Sequence, residues 1–390
     1  MSQLLNERWS ETKEALLEGL QGNRRASMAV CLENTRRSLT ESATAGATSA
    51  GNVATLNRVI LPVIRRVMPT VIANEIVGVQ PMTGPVGQIH TLRVRYADGS
   101  SEVSAGEEAL SPFKIASAYS GNDSSPAKAS NTASLEGTPG KRMSIQILKS
   151  PVEAKSRKLS ARWTFEAAQD AQAQQGIDIE AEIMAALAQE ITAEIDQEIL
   201  GSLRNLATVE ETYDQSLVSG TATFVGDEHA ALAIQINRVS NLIAQRTRRG
   251  AGNWAVVSNQ ALTILQSATT SAFARTTEGT FEAPTNTKFV GTLNGAMRIY
   301  VDAYLADNVD NNQVLIGYKG ASEADAAAFY CPYIPLMSSG VVLDPSTFEP
   351  VVGFLTRYGY VELSNTASSL GNAADYLGKV AIASAKVSFK

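Results

Sequence analysis

Charged and aromatic residues are both scarce in this sequence. Asp, Glu, Lys and Arg make up 18% of the 390 residues and aromatic residues 6%, whereas about 25% of an average soluble domain is charged. The 33 basic residues are outnumbered by 39 acidic ones, which excludes a polycation that coats nucleic acid and argues against sequence-specific DNA recognition. Because 44% of the residues are hydrophobic, the chain is not a disordered tail either.

Cysteine and histidine are nearly absent. Cys31 and Cys331 stand far apart without neighbouring ligand residues, so neither a disulfide framework nor a zinc site is expected. His90 and His229 are isolated, and each is interpreted as a structural residue. The sequence has no His-Glu-x-x-His helix and no Gly-x-Ser-x-Gly turn, the patterns of zinc proteases and serine hydrolases. These absences predict no catalytic residue, no cofactor and no metal, and hence a protein that is not an enzyme.

Long apolar runs are missing as well. No window reaches the roughly 18 consecutive apolar residues of a membrane span, and the N-terminus lacks a positively charged start followed by an apolar run. We therefore expect no signal peptide and no membrane partner.

The patterns that are present indicate an α+β fold. Helical and strand-like segments do not alternate regularly, which is typical of α+β proteins with antiparallel pairing. Two stretches rich in small residues, 42–51 and 97–140, are interpreted as a linker or extended arm and as a long loop. The predicted helices cover 1–41, 178–206, 230–245 and 260–266, and the predicted strands cover 88–96, 254–257, 297–301, 313–317, 354–360 and 378–382.

Charge is segregated into two adjacent blocks of opposite sign. In residues 141–162 the charged side chains are basic apart from one Glu. In residues 164–203 they are all acidic, with no Lys or Arg. Within the second block, Glu190, Glu194 and Glu198 lie one helical turn apart. We predict that the basic block, at Lys155, Arg157 and Lys158, contacts the acidic helix of a neighbouring subunit at these three glutamates. Such contacts set orientation and register more than affinity.

Several short motifs occur in the order found in one known family. They are similar to motifs of the major capsid proteins of T-even-like tailed phages, and together they span residues 60–360. The motifs are GVQPMTGP (78–85), EAKSRKL (153–159), GIDIEAE (176–182), LNG (293–295), YVD (300–302), GYKGA (317–321), FYCPY (329–333) and GFLTRYG (353–359).

The resemblance implies the Hong Kong ninety-seven type phage capsid fold. Its parts would be a helical N-terminal propeptide, an N-arm, an E-loop, a peripheral domain with a long spine helix at 178–206, and an axial domain. The E-loop region is plain here, whereas T-even relatives carry an inserted domain there. The propeptide would occupy residues 1–41, the N-arm 42–85 and the E-loop region 86–160. The peripheral domain would occupy 161–219 with 346–390, and the axial domain 220–345.

The resemblance also implies a function. A major capsid protein self-assembles into hexamers and pentamers that form the icosahedral head shell around the phage genome. The implied partners are further copies of the chain, a scaffold, a prohead protease, portal or vertex proteins and decoration proteins, with non-specific contact to genomic DNA on the inner face. The implied location is the virion capsid, with assembly in the host cytoplasm.

Proteolytic maturation is implied by the same resemblance. The family's protease cuts after Glu in an apolar-x-Glu motif, and Leu39-Thr40-Glu41 followed by Ser42 fits this pattern. We predict cleavage between Glu41 and Ser42, with Leu16-Leu17-Glu18 as a second candidate.

Two other classes of function stay open at this point. One is a soluble metal-dependent hydrolase that uses the glutamates of the acidic helix, and the other is a different self-assembling virion component such as a scaffold or tail-sheath protein. A capsid protein accounts best for the low charge content, because much of its surface would be interface between subunits.

Overall fold

The structure is a computed structural model of the chain. It describes residues 2–18, 20–44, 71–107, 109, 119–122, 128–175, 179–215, 225–247, 249–268, 273–275, 288–305, 312–323, 325–347, 349–363 and 373–384.

Helices occupy both the N-terminal region and the middle of the chain. They are α1 (Ser2–Leu17), α2 (Gly22–Thr44), α3 (Ala73–Ile76), α4 (Thr132–Leu135), α5 (Phe165–Gln175), α6 (Ile179–Leu206), α7 (Val225–Thr247) and α8 (Asn259–Ser267), with a 3₁₀ helix over Ala373–Tyr376.

The strands are distributed over the chain from residue 78 to residue 384. They are β1 (Gly78–Val79), β2 (Val86–Tyr96), β3 (Met143–Glu153), β4 (Lys155–Arg162), β5 (Val209–Asp214), β6 (Trp254–Val257), β7 (Phe273–Arg275), β8 (Lys288–Leu293), β9 (Met297–Val301), β10 (Gln313–Gly317), β11 (Ala328–Leu343), β12 (Pro350–Glu362) and β13 (Leu377–Ser384).

These strands form three sheets. The orders are β1-β11-β12-β4, β5-β13-β10-β6-β9-β8-β7 and β2-β3. The predicted α+β class is confirmed. The predicted antiparallel pairing is only partly right, because β1–β11, β5–β13 and β6–β9 are parallel. Strand periodicity identifies a strand but not the direction of its partner.

The chain divides into two compact units. The first unit contains Met1–Gly87, Val152–Ser202 and Phe329–Val361, and the second contains Gln88–Pro151, Leu203–Ala328 and Glu362–Lys390. This division differs from the predicted domain boundaries. β11 and β4 lie in the four-stranded sheet of the first unit, whereas β5 and β13 lie in the seven-stranded sheet of the second.

In the first unit, the long helix α6 supplies a row of buried side chains. The apolar residues that recur every four positions along α6 are buried from Leu187 onward, through Ile191, Ile195 and Ile199. The predicted span of 178–206 is confirmed to within one residue. Asp196 is also buried, and its carboxylate accepts a 2.8 Å hydrogen bond from the backbone N–H of Ile72. This bond attaches the segment before α3 to the helix.

In the second unit, α7 and α8 pack on the seven-stranded sheet around an aliphatic core. Ile236, Val239 and Ile243 of α7 are fully buried in the same cluster as residues of β6, β9, β10 and β13. Ser258 caps α8 by accepting a 3.2 Å hydrogen bond from the N–H of Ala261. A side-chain oxygen at this position satisfies an N–H that the helix leaves unpaired.

Candidate assembly site

Arg157 connects strand β4 with the long helix α6. Its Nη1 lies 2.9 Å from Glu194 Oε2, and its Nη2 lies 2.6 Å from Glu198 Oε2. Its Nε donates a 2.6 Å hydrogen bond to the hydroxyl of Tyr358 on β12, and the Tyr358 hydroxyl donates in turn to Glu198. Because Glu194 and Glu198 are one turn apart on α6, one planar guanidinium reaches both.

The hydrogen bonds of this cluster stabilise the carboxylate form of Glu198 and the neutral form of Tyr358. Burial raises the pKa of Glu198, but hydrogen bonds from Tyr358 and Arg157 outweigh burial, and the pKa lies below its ordinary value. Burial raises the pKa of the Tyr358 hydroxyl above its ordinary value, and the bond to Glu198 adds to this effect. Arg157 and Glu198 are therefore charged, and Tyr358 neutral, at neutral pH.

The structure brings together three of the six residues predicted to pair between subunits, and it does so within one chain. Arg157, Glu194 and Glu198 form the contact just described. Lys155, Lys158 and Glu190 are exposed. The two charge blocks therefore contact each other within one chain, where Arg157, Glu194 and Glu198 all lie in the stretch Val152–Ser202 of the first unit.

The metal-dependent alternative used the same glutamates. Two of them, Glu194 and Glu198, accept hydrogen bonds from Arg157. Within the part of the chain that the structure describes, no group of three or more His, Cys, Asp or Glu residues is arranged to hold a metal ion. The geometry favours a structural role for this acidic helix.

The predicted cleavage residues lie in the C-terminal turns of α2. Leu39, Glu41 and Ser42 are helical, because α2 runs to Thr44 and so ends three residues beyond the predicted boundary at 41. The second candidate, Leu17-Glu18, lies where α1 ends, and Leu17 is buried. The small-residue stretch 42–51 lies mostly outside the described residues.

Strand β3 carries an exposed apolar face that the sequence reasoning missed. Met143, Ile145 and Ile147 alternate along one side of the strand, and Ile145 and Ile147 are 69% and 61% exposed. The strand pairs with β2 in a two-stranded sheet. The signal was visible in the alternation Met-Ser-Ile-Gln-Ile over 143–147, which is typical of a strand with one apolar face.

The segment between β2 and β3 has a small core of its own. Tyr96, Val103, Ala109 and Tyr119 are buried together, and the Tyr96 and Tyr119 ring centroids lie 4.4 Å apart. The hydroxyl of Tyr119 donates to the backbone carbonyl of Arg142. This part of the predicted loop 97–140 is therefore packed, although several residues of that stretch lie outside the described ranges.

Two arginines and a histidine elsewhere in the chain have structural partners. Arg246 pairs with Glu210 at 2.5 Å and Arg249 with Asp325 at 2.5 Å. His229 is buried, with its Nδ1 hydrogen-bonded to Ser267. Both cysteines are free thiols. In the residues that can be described, no helix is long and apolar enough to cross a membrane.

Comparison with known proteins identifies the family. The family model described as "Major capsid protein Gp23" matches residues 53–137 and 125–382. The major capsid protein of Vibrio phage KVP40 is 28% identical in an alignment that covers 84% of this chain and 80% of that protein. That of Enterobacteria phage T4 is 30% identical in an alignment that covers 81% of this chain and 76% of that protein.

Solved capsid structures also resemble this chain. The capsid of Myoviridae phage XM1 matches with a TM-score of 0.43 and 11% identity, covering 78% of this chain and 88% of that one. The mature capsid of bacteriophage PhiM1 matches with a TM-score of 0.45 and 12% identity, covering 79% and 85%. The family match, which extends over most of the sequence, carries the identification: the chain belongs to the Gp23 family of major capsid proteins, the structural proteins of the tailed-phage virion capsid.

Proposed function

We propose that copies of this chain associate through the two-stranded β2–β3 sheet into hexamers and pentamers, which build a closed shell around the phage genome. The observation that carries the proposal is the exposed apolar face of β3 at Met143, Ile145 and Ile147. A two-stranded hairpin is marginally stable in water, and contiguous exposed apolar side chains mark surfaces of association. Head-to-tail contacts that close form rings, as capsomers require.

Substitution on the two faces of β3 tests this association. Ile145→Asp combined with Ile147→Asp places two charges on the apolar face, and Gln146→Asp places one on the opposite face of the same strand. We expect the double variant to stay folded by circular dichroism and to form no shells in negative-stain microscopy, while Gln146→Asp assembles. Normal shells from the double variant would refute the proposed contact.

Charged contacts between subunits are a second part of the proposal. Because Arg157 is bound within its own chain, Lys155, Lys158 and Glu190 are the exposed residues left for an intersubunit role. Exposed pairs contribute only about 0–1 kcal/mol each, so their effect must come from many copies. Lys158→Glu is expected to slow shell formation, measured by light scattering, and an unchanged rate would remove Lys158 from the contact.

The parts of the fold are proposed to correspond to those of the capsid fold expected from the resemblance. The β2–β3 sheet with its connection would be the E-loop, α6 the spine helix of the peripheral domain, and the seven-stranded sheet the core of the axial domain. Residues 1–41 would be the propeptide and the following segment the N-arm. The pairing of β4, β11 and β12 in one sheet with the α6 cluster supports counting all three strands with the peripheral domain.

The remaining partners follow from the same proposal. A scaffold and a prohead protease would act during assembly, portal and decoration proteins would join the shell, and DNA would contact the inner face without sequence preference. The chain itself would catalyse no reaction. Cleavage between Glu41 and Ser42 is tested by intact-mass measurement of protein from mature particles, where the mass of residues 42–390 is expected and the mass of residues 1–390 would exclude processing.

A further inference from the structure

The two N-terminal helices contact each other and pack on the first unit. The indole of Trp9 on α1 donates a 3.2 Å hydrogen bond to the Glu33 carboxylate on α2, and the guanidinium carbon of Arg36 lies 5.5 Å from the centroid of the Trp9 ring. Lys13 adds a 3.5 Å ion pair with Glu33. We call α1 and α2 together the N-terminal hairpin. These internal contacts hold it together as one piece.

Helix α2 docks through one face. Met28, Cys31, Leu32 and Thr35 recur at helical spacing, and their exposed fractions are at most 2%. The Cys31 thiol lies against β11, with its Sγ 3.9 Å from the carbonyl oxygen of Pro332. The segment predicted to be a propeptide is thus packed against the body of the subunit at this face.

The side chain of Asn34 on α2 donates hydrogen bonds at the point where backbone pairing along the edge of the four-stranded sheet ends. β1 is short, and its backbone pairing with β11 ends at Met82, whose N–H donates a 3.0 Å hydrogen bond to the carbonyl of Pro332. The amide of Asn34 then donates to the carbonyl of Met82 at 2.7 Å and to that of Tyr333 at 3.0 Å. An uncovered strand edge is a ready site for pairing with another chain, and proteins commonly cover such edges.

We propose that the N-terminal hairpin is a separable cap, which covers β11 at Pro332 and Tyr333, where its pairing with the β1 segment ends, and opens as one piece while the rest of the subunit stays folded. Its internal contacts are separate from the docking face, so that undocking breaks one face of α2 and leaves the hairpin intact. Local openings of this kind involve contiguous cooperative segments. The further step, that the covered edge is kept from other copies until assembly, rests on the proposed function.

The two cysteines provide a direct readout of opening. Cys31 lies on the docking face of the cap, and Cys331 lies in β11 of the body. Burial raises the pKa of Cys31 to about 12 and that of Cys331 to about 11, so neither thiol reacts readily while it is buried. Iodoacetamide labelling of the full chain, quantified by peptide mass spectrometry, measures the exposure of each thiol separately.

Two variants weaken the docking face and one serves as the matched control. Asn34→Leu removes both hydrogen bonds to the sheet edge while keeping a side chain of similar volume. Arg24→Glu replaces the ion pair of α2 with Glu75 by a repulsion between two carboxylates. Arg25→Glu makes the same charge change at the next residue, which is exposed. We expect Asn34→Leu to raise the labelling rate of Cys31 about tenfold or more, since buried hydrogen bonds are lost. Arg24→Glu should raise it less, and Arg25→Glu should leave it unchanged.

The rate for Cys331 decides the interpretation. A Cys31 rate that rises while the Cys331 rate stays at its original value supports a cap that opens alone. If both rates rise together, the hairpin is an integral part of the core. If the Cys31 rate is unchanged in both docking variants, these contacts do not hold the hairpin on the body. Either result overturns the proposal. If Asn34→Leu fails to fold, Arg24→Glu carries the test. The assay needs no protease, so a failure of the proposed cleavage leaves its result unaffected.

Discussion

In the second unit, most of the core comes from one stretch of chain, Leu203–Ala328, and its buried cluster is dominated by Ile, Val and Leu. The first unit, in contrast, draws its buried apolar side chains from all three of its stretches, which are far apart in sequence, as Leu32, Ile195 and Phe354 show. Polar side chains connect those stretches: Asn34 bonds to Tyr333 across 299 positions, and Arg157 bonds to Tyr358 across 201. The difference teaches that the second unit is organised around one continuous stretch of chain, while the first depends on contacts between distant segments, apolar as well as polar.

The largest expected effect tests the aliphatic core of the second unit. Ile236→Ala removes a side chain that is fully buried on α7, and cavities of this kind cost about 2–5 kcal/mol. Ile234→Ala, on the same helix but 68% exposed, is expected to cost less than about 0.5 kcal/mol. Urea denaturation, followed by hydrogen exchange in peptides of each unit, measures both values. Equal costs for the two variants would contradict a core organised around α7.

A smaller effect is expected from the polar connections of the first unit. Arg157→Ala removes the cation that pairs with Glu194 and Glu198, but the Arg157 side chain is 33% exposed, so solvent screening limits the loss to about 1 kcal/mol. The neighbouring Lys158→Ala is the control and should change stability little, because Lys158 is exposed. In hydrogen exchange, the loss should appear in β4, β12 and α6. A uniform loss over both units would show that the cluster does not act locally.

The smallest expected effect is a pH dependence of stability that is specific to the second unit. Burial lowers the pKa of His229 in the second unit below its ordinary value near 6.5, despite the opposing effect of Glu228. The neutral ring therefore contributes stability that is complete above the unfolded pKa and is lost as the pH falls through the lower folded pKa. We expect the melting temperature of the second unit to fall below pH 6.5, and His229→Gln to flatten this dependence.

His90 provides the control for this prediction. It is exposed on β2, so His90→Gln should leave the pH dependence unchanged. If His90→Gln and not His229→Gln flattened the profile, burial of His229 would not be the cause.

The sequence was informative where one residue pattern determines one local structure. The long helix predicted at 178–206 lies at Ile179–Leu206, because its apolar residues recur every four positions without a break. Strand β11 was missed, since Pro332 and Pro335 interrupt a run that otherwise reads as a strand, and proline is disfavoured inside sheets. The exposed face of β3 was not predicted, because alternation identifies a strand with one apolar face but does not say whether that face is buried.

The residue types that pair at the candidate site could be predicted from the sequence, but whether they pair within one chain or between two could not. The complementary blocks containing Arg157, Glu194 and Glu198 were recognised, yet nothing in their spacing says whether the partners belong to one chain or to two. The docking of Asn34 could not be predicted at all, since its acceptors are backbone carbonyls 48 and 299 positions away. Backbone acceptors leave no signature in the residue types that carry them.

The buried thiol of Cys331 has a consequence for the life of the particle. A phage shell is assembled in the reducing interior of a host cell and is then released into an oxidising medium, where exposed thiols form disulfides. Cys331 is a free thiol within β11, and burial keeps it protonated. Shells built from this chain should therefore carry the same covalent bonds at Cys331 before and after lysis, and should need no reductant to stay intact.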